Sequence, residues 1–243
     1  MTLTCCDLFF SYERTETLAD INMEVPSGNF CASLGRNGSG KTTLLHCING
    51  LLYPNRGLIE LDGLSIIGAD QKEIAKRVSM VPQKNIDIFP FSVEEVVVMG
   101  RTPYLGFNES PGPADYDTAF AILESLDAGY LAKRNFNRIS GGERRISLLA
   151  RALMQSTKTL LFDEPTNHLD FHNQYRILSM MRELCRKKGS RIIASMHDPN
   201  LVNIFADQVI MLKKGRILEQ GPTEKVMTAD FVGELYDTNT KRF

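Results

Sequence analysis

The chain has 243 residues, 43% of them hydrophobic and 23% charged, which is typical of a globular protein and excludes a disordered one. A formal net charge of −1 gives no general attraction to nucleic acid or anionic lipid, so no nucleic-acid partner is expected. The five cysteines lack zinc-site spacing, and no signal peptide or membrane-spanning stretch is visible. These features predict a cytosolic protein with small, buried, reduced cysteines.

The chain begins with strand patterns. Residues 3–10 and 21–25 carry apolar side chains at strand spacing, and residues 30–34 form a short apolar run. Tyr12 follows the first of these segments, in the expected turn. Its ring could stack on an adenine base, or it could be an ordinary core or edge tyrosine, and its position alone does not decide between the two.

A glycine-rich loop follows the third strand and fits the phosphate-binding pattern Gly, four residues, Gly-Lys-Ser/Thr. Its glycines can take positive φ, so that backbone N–H groups and a helix N-terminus converge on phosphate oxygens. Lys41 adds a positive charge, and the hydroxyl of Thr42 is placed to bind Mg²⁺, as in P-loop proteins generally. The predicted nucleotide-binding residues are Gly35, Asn37, Gly38, Ser39, Gly40, Lys41, Thr42 and Thr43.

Beyond a helix that Gly50 closes, residues 57–61 read as a strand ending in an Asp-Gly turn, followed by a polar helical segment. A further strand over residues 78–81 leads to Gln83. The carboxyl ends of strands in open α/β sheets are where ligands bind, so Gln83 is a candidate site residue. A surface glutamine in a loop is the alternative.

From residue 91 to about 153 the pattern changes to helix. Ser92 and Glu95 form a capping box for a helix expected to stop at Gly100, and residues 104–113 read as a loop before a helix over residues 115–126. We therefore predict a single domain. In it, a helical lobe of about residues 91–153 is inserted into an α/β core of residues 1–90 and 154–243.

A second capping box begins at Ser140 and includes Gly141 and Gly142. Ser140 alone reads as an ordinary helix cap. Two glycines beside a capping serine at a helix N-terminus can instead form a second anion site.

The later strands end in chemically active side chains. An apolar strand over residues 159–162 ends at Asp163 and Glu164, which suit a Mg²⁺ ligand and a general base that activates water. Asp170 is placed as the N-cap of the next helix, and the strand over residues 192–196 ends at His197. Solvated acids and a structural histidine are the alternatives. A hairpin and a short helical tail complete the chain.

The order of these motifs resembles the full motif set of an ABC-transporter ATPase over essentially the whole chain. The resemblance implies an α/β P-loop NTPase fold with an N-terminal antiparallel β subdomain and an inserted helical subdomain. It implies that Tyr12 stacks on the adenine of ATP and that Thr42, Gln83 and Asp163 hold Mg²⁺. It also implies that Glu164 is the general base and that His197 contacts the γ-phosphate and the reacting water. Lys41 and Gln83 complete the implied catalytic residues.

The same resemblance implies partners. Ser140, Gly141 and Gly142 would bind the γ-phosphate of ATP held by a second copy of the chain, and Asp170 would lie at the dimer seam. Residues 93–106 are similar to ATPases of importers for iron-siderophore, haem and vitamin B12. In those systems a homodimeric ATPase lies at the inner face of the membrane on a permease fed by a substrate-binding protein.

The signature helix departs from that subfamily at Ile139, where leucine is usual. It departs again at Arg145-Ile146-Ser147, where Gln-Arg and an aliphatic residue are common. A soluble ABC ATPase of a protein complex, such as an iron–sulfur assembly, is the alternative function, and residues 99–106 are what argue against it. Repair ATPases would carry long coiled coils, which the chain lacks, and a small-molecule kinase would leave Ser140 and His197 unexplained.

Overall fold

The computed structural model describes residues 1–83 and 90–238, which contain two β-sheets and the helices around them. The four-stranded sheet is antiparallel, and the six-stranded sheet is mainly parallel. The strands are β1 (Thr2–Tyr12), β2 (Thr15–Pro26), β3 (Phe30–Leu34), β4 (Arg56–Leu61), β5 (Leu64–Ser65), β6 (Val78–Val81), β7 (Thr159–Asp163), β8 (Arg191–Met196), β9 (Gln208–Lys213) and β10 (Arg216–Pro222).

The strand order places all the predicted site loops at one edge. The small sheet has the order β2-β1-β4-β5, and the large sheet has the order β10-β9-β3-β8-β7-β6. In the large sheet β3, β8, β7 and β6 are neighbours and run parallel, so their carboxyl ends lie side by side. The glycine-rich loop, His197, the Asp163-Glu164 pair and Gln83 follow these four strands, and the predicted edge is confirmed.

The helices carry the predicted caps, with small differences in length. Ser92, Ser140 and Asp170 all cap helices through their side chains, as predicted. The α-helices are α1 (Lys41–Ile48), α2 (Gln71–Ala75), α3 (Val93–Val98), α4 (Pro113–Ser125), α5 (Gly141–Met154), α6 (Phe171–Lys188), α7 (Pro199–Phe205), α8 (Thr223–Val226) and α9 (Ala229–Tyr236). Short 3₁₀ helices cover Met99–Tyr104, Gly129–Leu131 and Phe136–Arg138.

Helix α3 ends at Val98, close to the predicted stop at Gly100, but Gly100 is not its cap. The chain continues from α3 into the 3₁₀ helix over Met99–Tyr104, and Gly100 has no positive φ. A Cβ at Gly100 would lie 2.4 Å from the carbonyl oxygen of Arg151 in α5. The glycine is therefore explained by the close approach of two helices, and the following loop is shorter than predicted.

Two hydrophobic clusters enclose the large sheet. Its central strands are buried on both faces, with alternate residues such as Leu160 and Leu161 in different clusters. One cluster joins the sheet to α3, α4, α5 and α6, and the other joins it to α1 and the antiparallel sheet. Helix α1 is thus packed between the two sheets, which fixes the loop that precedes it.

Arg191 ties the two sheets together. This side chain at the start of β8 is only 1% exposed. Its Nε donates to the carbonyl oxygen of Val25 in β2, its Nη1 to the hydroxyl of Thr159 in β7, and its Nη2 to Asp62 beyond β4, each at 2.9 Å. A buried guanidinium is tolerated because all three of these partners accept hydrogen bonds from it.

Four of the five cysteines are buried, as predicted, whereas Cys6 is exposed in β1, where it pairs with Leu58 in the antiparallel sheet. Among the helices of the two described ranges, none combines the length and apolar character that a bilayer crossing needs. The lobe boundaries near residues 90 and 153 remain predictions, since α5 packs on β6 and α6 as well as on α3 and α4.

Candidate nucleotide site

The glycine-rich loop has the geometry of an anion cradle. Gly38 and Gly40 have φ values of 77° and 104°, in the region that favours glycine. Gly35 does not take positive φ as predicted, but a Cβ there would lie 2.3 Å from the carbonyl oxygen of Leu212. Close backbone approach therefore explains Gly35, and left-handed backbone explains the other two glycines.

Lys41 begins α1 and is only 5% exposed. Its Nζ donates to the carbonyl oxygens of Gly35 and Arg36 at 2.8 and 3.0 Å. Burial lowers the pKa of Lys41, while the nearby carboxylates of Glu164 and Asp163 act in the opposite direction. The ammonium group is therefore held inside the loop, beside the two acids.

Thr42 and Asp163 meet where the Mg²⁺ ligands are expected. The hydroxyl of Thr42 donates to both carboxylate oxygens of Asp163 at 3.0 Å. Asp163 also accepts a 2.6 Å hydrogen bond from the hydroxyl of Ser195 in β8. This group of hard oxygen donors beside a phosphate cradle fits Mg²⁺, which prefers oxygen ligands. Gln83, the third predicted ligand, points its amide nitrogen at Glu164 instead.

Three side chains surround the carboxylate of Glu164. Oε2 accepts from the amide of Gln83 at 2.5 Å and from the amide of Asn167 at 2.8 Å. Oε1 lies 2.5 Å from Nε2 of His197. The three side chains fix the direction of the carboxylate, and a carboxylate held in this way beside a phosphate cavity can take a proton from water.

The backbone at Glu164 is held in an unusual conformation. Its φ of 50° lies in the left-handed region, which costs a residue with a side chain about 1–3 kcal/mol. The N–H of Glu164 donates to the hydroxyl of Ser195 at 2.8 Å, and the same hydroxyl donates to Asp163. Ser195 therefore orients both acids at once.

The site residues that sequence reasoning missed include Ser195, Asn167 and Thr17. Ser195 was visible as the one polar residue near the end of an apolar strand, and Asn167 as an amide three residues after Glu164. Thr17 lines the cavity from β2, and no local pattern indicated it.

Arg145 is a further missed residue of the site region. It lies in α5 with 7% of its surface exposed, and it donates to the carbonyl oxygens of Pro82, Gln83 and Glu164 at 2.8, 2.9 and 3.4 Å. Burial lowers its pKa, opposed by the charges of Asp163 and Glu164. The sequence flagged this position only as a departure from a motif.

These elements enclose a cavity of about 740 Å³, within the range of small-molecule sites. The described residues that line it are Thr17, Asn37, Gly38, Gly40, Lys41, Thr42, Thr43, Gln83, Glu164, Asn167 and His197. The lining joins the glycine-rich loop to the predicted catalytic residues.

Ser140, Gly141, Gly142, Tyr12 and Asp170 are not among those lining residues. Tyr12 is the last residue of β1 and is 47% exposed. Its ring packs edge-on against the ring of Phe10, with the two ring centroids 4.8 Å apart. Asp170 is exposed and accepts from the N–H of Asn173 at 2.9 Å. Within the described chain these five residues do not join the cavity.

At the N-terminus of α5, Ser140 and Glu143 form a capping box by hydrogen-bonding to each other. Ser140 Oγ accepts from the N–H of Glu143 at 3.3 Å, and Glu143 accepts from the N–H of Ser140 at 2.8 Å. Gly141 is exposed, and a Cβ on it would meet only Leu169 Cδ2, at 3.8 Å. No atom of the described chain requires glycine at that position.

Comparison of the sequence with known proteins identifies relatives of this chain. The profile of the ABC transporter family matches residues 18–167. A probable iron chelatin transport ATP-binding protein of Helicobacter pylori is 36% identical over 98% of this chain and 94% of its own length. The hemin import ATP-binding protein HmuV of Escherichia coli O157:H7 is 34% identical over 95% of this chain and 90% of its own.

A solved structure gives the same result for the fold. An inward-facing metal-chelate type ABC transporter contains a chain that superposes with a TM-score of 0.87 and 31% identity. The match covers 97% of this chain and 89% of that one. The predicted α/β cassette fold is confirmed.

Proposed function

This chain belongs to the ABC transporter family of ATPases, and we propose that it is the ATP-binding subunit of an importer for a metal chelate. Iron-siderophore, haem and cobalamin are the candidate cargoes. The observation that carries the proposal is the edge of the parallel sheet, where a phosphate cradle, an oriented carboxylate and an imidazole face one cavity. The relatives named for iron chelatin and hemin transport favour the importer over an assembly ATPase.

In this proposal the glycine-rich loop holds the phosphates of ATP. Asn37, Gly38 and the run from Gly40 to Thr43 line the cavity. Their backbone N–H groups and the ammonium of Lys41 would bind the phosphate oxygens. Thr42, Asp163 and Gln83 would hold Mg²⁺, which when bound neutralises charge on the phosphate oxygens. The hydroxyl of Thr42, which donates to Asp163 in the structure, would be one of the oxygen ligands of that metal.

Glu164 acts as the general base. Its carboxylate accepts the proton of the water that attacks the γ-phosphate, while Gln83 and His197 orient the carboxylate and that water. The water's oxygen forms a bond to phosphorus as the bond to the leaving oxygen of ADP breaks. Lys41 stabilises the negative charge on the transferred group.

A second copy of the chain completes the site. Ser140, Gly141 and Gly142 do not line the cavity of their own subunit, and Gly141 is exposed, so another molecule can approach it closely. A helix N-terminus with capping serine and glycine fits a phosphate group. Two copies arranged head to tail would therefore share two ATP molecules, with Asp170 at the seam and Tyr12 against the adenine.

The membrane partner is a permease that docks on the helical lobe near Gln83 and Arg101. Arg101 pairs with Asp115 at 2.9 Å, and its guanidinium lies 4.8 Å from the ring centroid of Tyr104. Through the permease the ATPase lies peripherally on the inner face of the membrane, and a substrate-binding protein delivers the chelate. Co-purification with a many-spanning membrane protein is the expected result, and an exclusively water-soluble complex contradicts it.

The ATPase proposal is tested with Glu164→Gln. The variant retains the phosphate contacts but loses the base, so turnover should fall by about 10²–10⁴-fold. ATP with Mg²⁺ should trap it as a dimer, measured by light scattering after gel filtration. Glu183→Gln, which removes a surface pair with Lys187, is the control and should behave as the parent.

A Glu164→Gln variant that stays monomeric with saturating Mg-ATP and hydrolyses at the parental rate would overturn the assignment.

A further inference from the structure

Arg145 joins parts of the molecule that the proposed function uses separately. It lies five residues after Ser140 in the same helix, α5, and its guanidinium reaches the loops that follow β6 and β7. One Nη group donates to the carbonyl oxygen of Pro82, and the other donates to those of Gln83 and Glu164. The two contacted loops carry the amide and the carboxylate that face the cavity.

The chemistry of this contact is specific to arginine. A buried charge is costly unless acceptors surround it, and here three main-chain oxygens do so. The planar fork of a guanidinium reaches several carbonyls at fixed angles, which the single ammonium of lysine does not. The contact therefore transmits both position and orientation between the helix and the loops.

A helix moves as a rigid body over so short a distance. Five residues of α-helix span about 7–8 Å. A displacement or rotation of the first turn of α5 would therefore move Arg145 by a similar amount. Arg145 would in turn shift the main chain at Gln83 and Glu164, to which it is hydrogen-bonded.

We propose that Arg145 is a positioning residue that couples the two ATP sites, an inference that rests on the proposed homodimer. In each subunit Ser140 contacts the ATP of the partner, and Arg145 conveys that contact to Gln83 and Glu164 at the subunit's own ATP. When the partner site is filled, this contact shifts the main chain that carries Glu164, whose carboxylate is already oriented by Gln83, Asn167 and His197, relative to the attacking water. Arg145 itself touches no reacting atom.

The test is a double-mutant cycle on full-length protein. Arg145→Lys keeps the charge and loses the fork, and Ser140→Ala removes the contact at the start of the helix. Arg176→Lys is the matched control, because Arg176 in α6 also donates to two carbonyl oxygens, those of Leu126 and Asp127 at 3.1 and 3.4 Å. For each variant kcat, KM for ATP and thermal stability are measured.

Arg145→Lys should lower kcat by about tenfold or more, because small misplacements of catalytic groups have effects of that size, and leave KM within about twofold. Arg176→Lys should keep the parental kcat. The double variant Ser140→Ala with Arg145→Lys should be no slower than the slower single variant, since both act on one connection.

Two outcomes overturn the inference. One is an Arg145→Lys variant with parental kcat, and the other is a double variant whose loss is the product of the single losses. If Arg145→Lys does not fold, Arg145→Gln enters the same cycle and is judged by the same criteria. A parent that neither hydrolyses ATP nor dimerises would refute the proposed function instead, so the two failures are distinguishable.

Discussion

The edge of the parallel sheet and the N-terminus of α5 both present groups suited to phosphate, but they are built differently. At the sheet edge, polar side chains from four loops bind one another, as Glu164 does with Gln83, Asn167 and His197. At α5, the hydroxyl of Ser140 accepts from the N–H of Glu143 and its carbonyl oxygen accepts from the N–H of Arg144, and among the described residues a Cβ on Gly141 would meet only Leu169. The first region is organised by contacts within the chain, whereas the second would bind phosphate in the proposed dimer.

The largest effect expected from this difference concerns nucleotide binding. Lys41→Ala should weaken ATP binding by roughly two orders of magnitude or more, about 3 kcal/mol, because it removes a buried charge from the phosphate cradle. Ser140→Ala should leave ATP binding to the isolated monomer unchanged. Calorimetric titration of both variants measures this, and equal losses would show that Ser140 serves its own subunit.

A pair of glycine variants gives the next largest effect. Gly35→Ala places a Cβ 2.3 Å from a main-chain oxygen, so the free energy of unfolding should fall by about 1–3 kcal/mol. Gly141→Ala should change it by less than about 0.5 kcal/mol, because its nearest neighbour would be 3.8 Å away.

Gly141→Ala should nevertheless lower kcat, since in the proposed dimer the added methyl group lies where the phosphate bound to the other subunit approaches. Urea unfolding and ATPase assays on both variants separate the two effects. A destabilised but fully active Gly141→Ala protein would mean that α5 packs against its own chain.

The smallest effect concerns the capping box of α5. Hydrogen bonds from the N–H and hydroxyl of Ser140 lower the pKa of Glu143 below its ordinary value. A carboxyl group with a lowered folded-state pKa stabilises the fold above its unfolded pKa, and that stability is lost as pH falls through the folded pKa.

Between neutral pH and about pH 3 the parent should therefore lose about 0.5 kcal/mol more stability than Glu143→Gln, measured by urea unfolding. An identical loss of stability in both proteins would show that Glu143 does not contribute to this pH dependence.

Local patterns in the sequence predicted much of this structure. The capping boxes at Ser92 and Ser140 and the N-cap at Asp170 depend on residues only three positions apart, and all three are present. The strands that end at Gln83 and Glu164 were visible as apolar runs, and parallel pairing brought their ends together. The catalytic roles assigned to these residues remain predictions.

What the sequence did not predict depends on contacts between distant segments. Gly100 resembles a helix terminator in the sequence, yet its role is to admit the backbone of α5. Arg145 reaches carbonyl oxygens 62 and 63 residues away, and Ser195 reaches acids 31 and 32 residues away. No periodicity encodes such pairings, because they depend on how the helices and strands pack.

The buried guanidinium of Arg191 has a consequence for how the protein melts. It is bonded at once to β2, to β7 and to the turn after β4, so neither sheet can separate while the other stays intact without stranding a charge in an apolar interior. The free energy needed to open the antiparallel sheet alone is therefore raised towards the free energy of global unfolding. We therefore expect the two sheets to unfold as a single cooperative unit, and the phosphate loop, on the helix packed between them, to keep its shape until that unit unfolds.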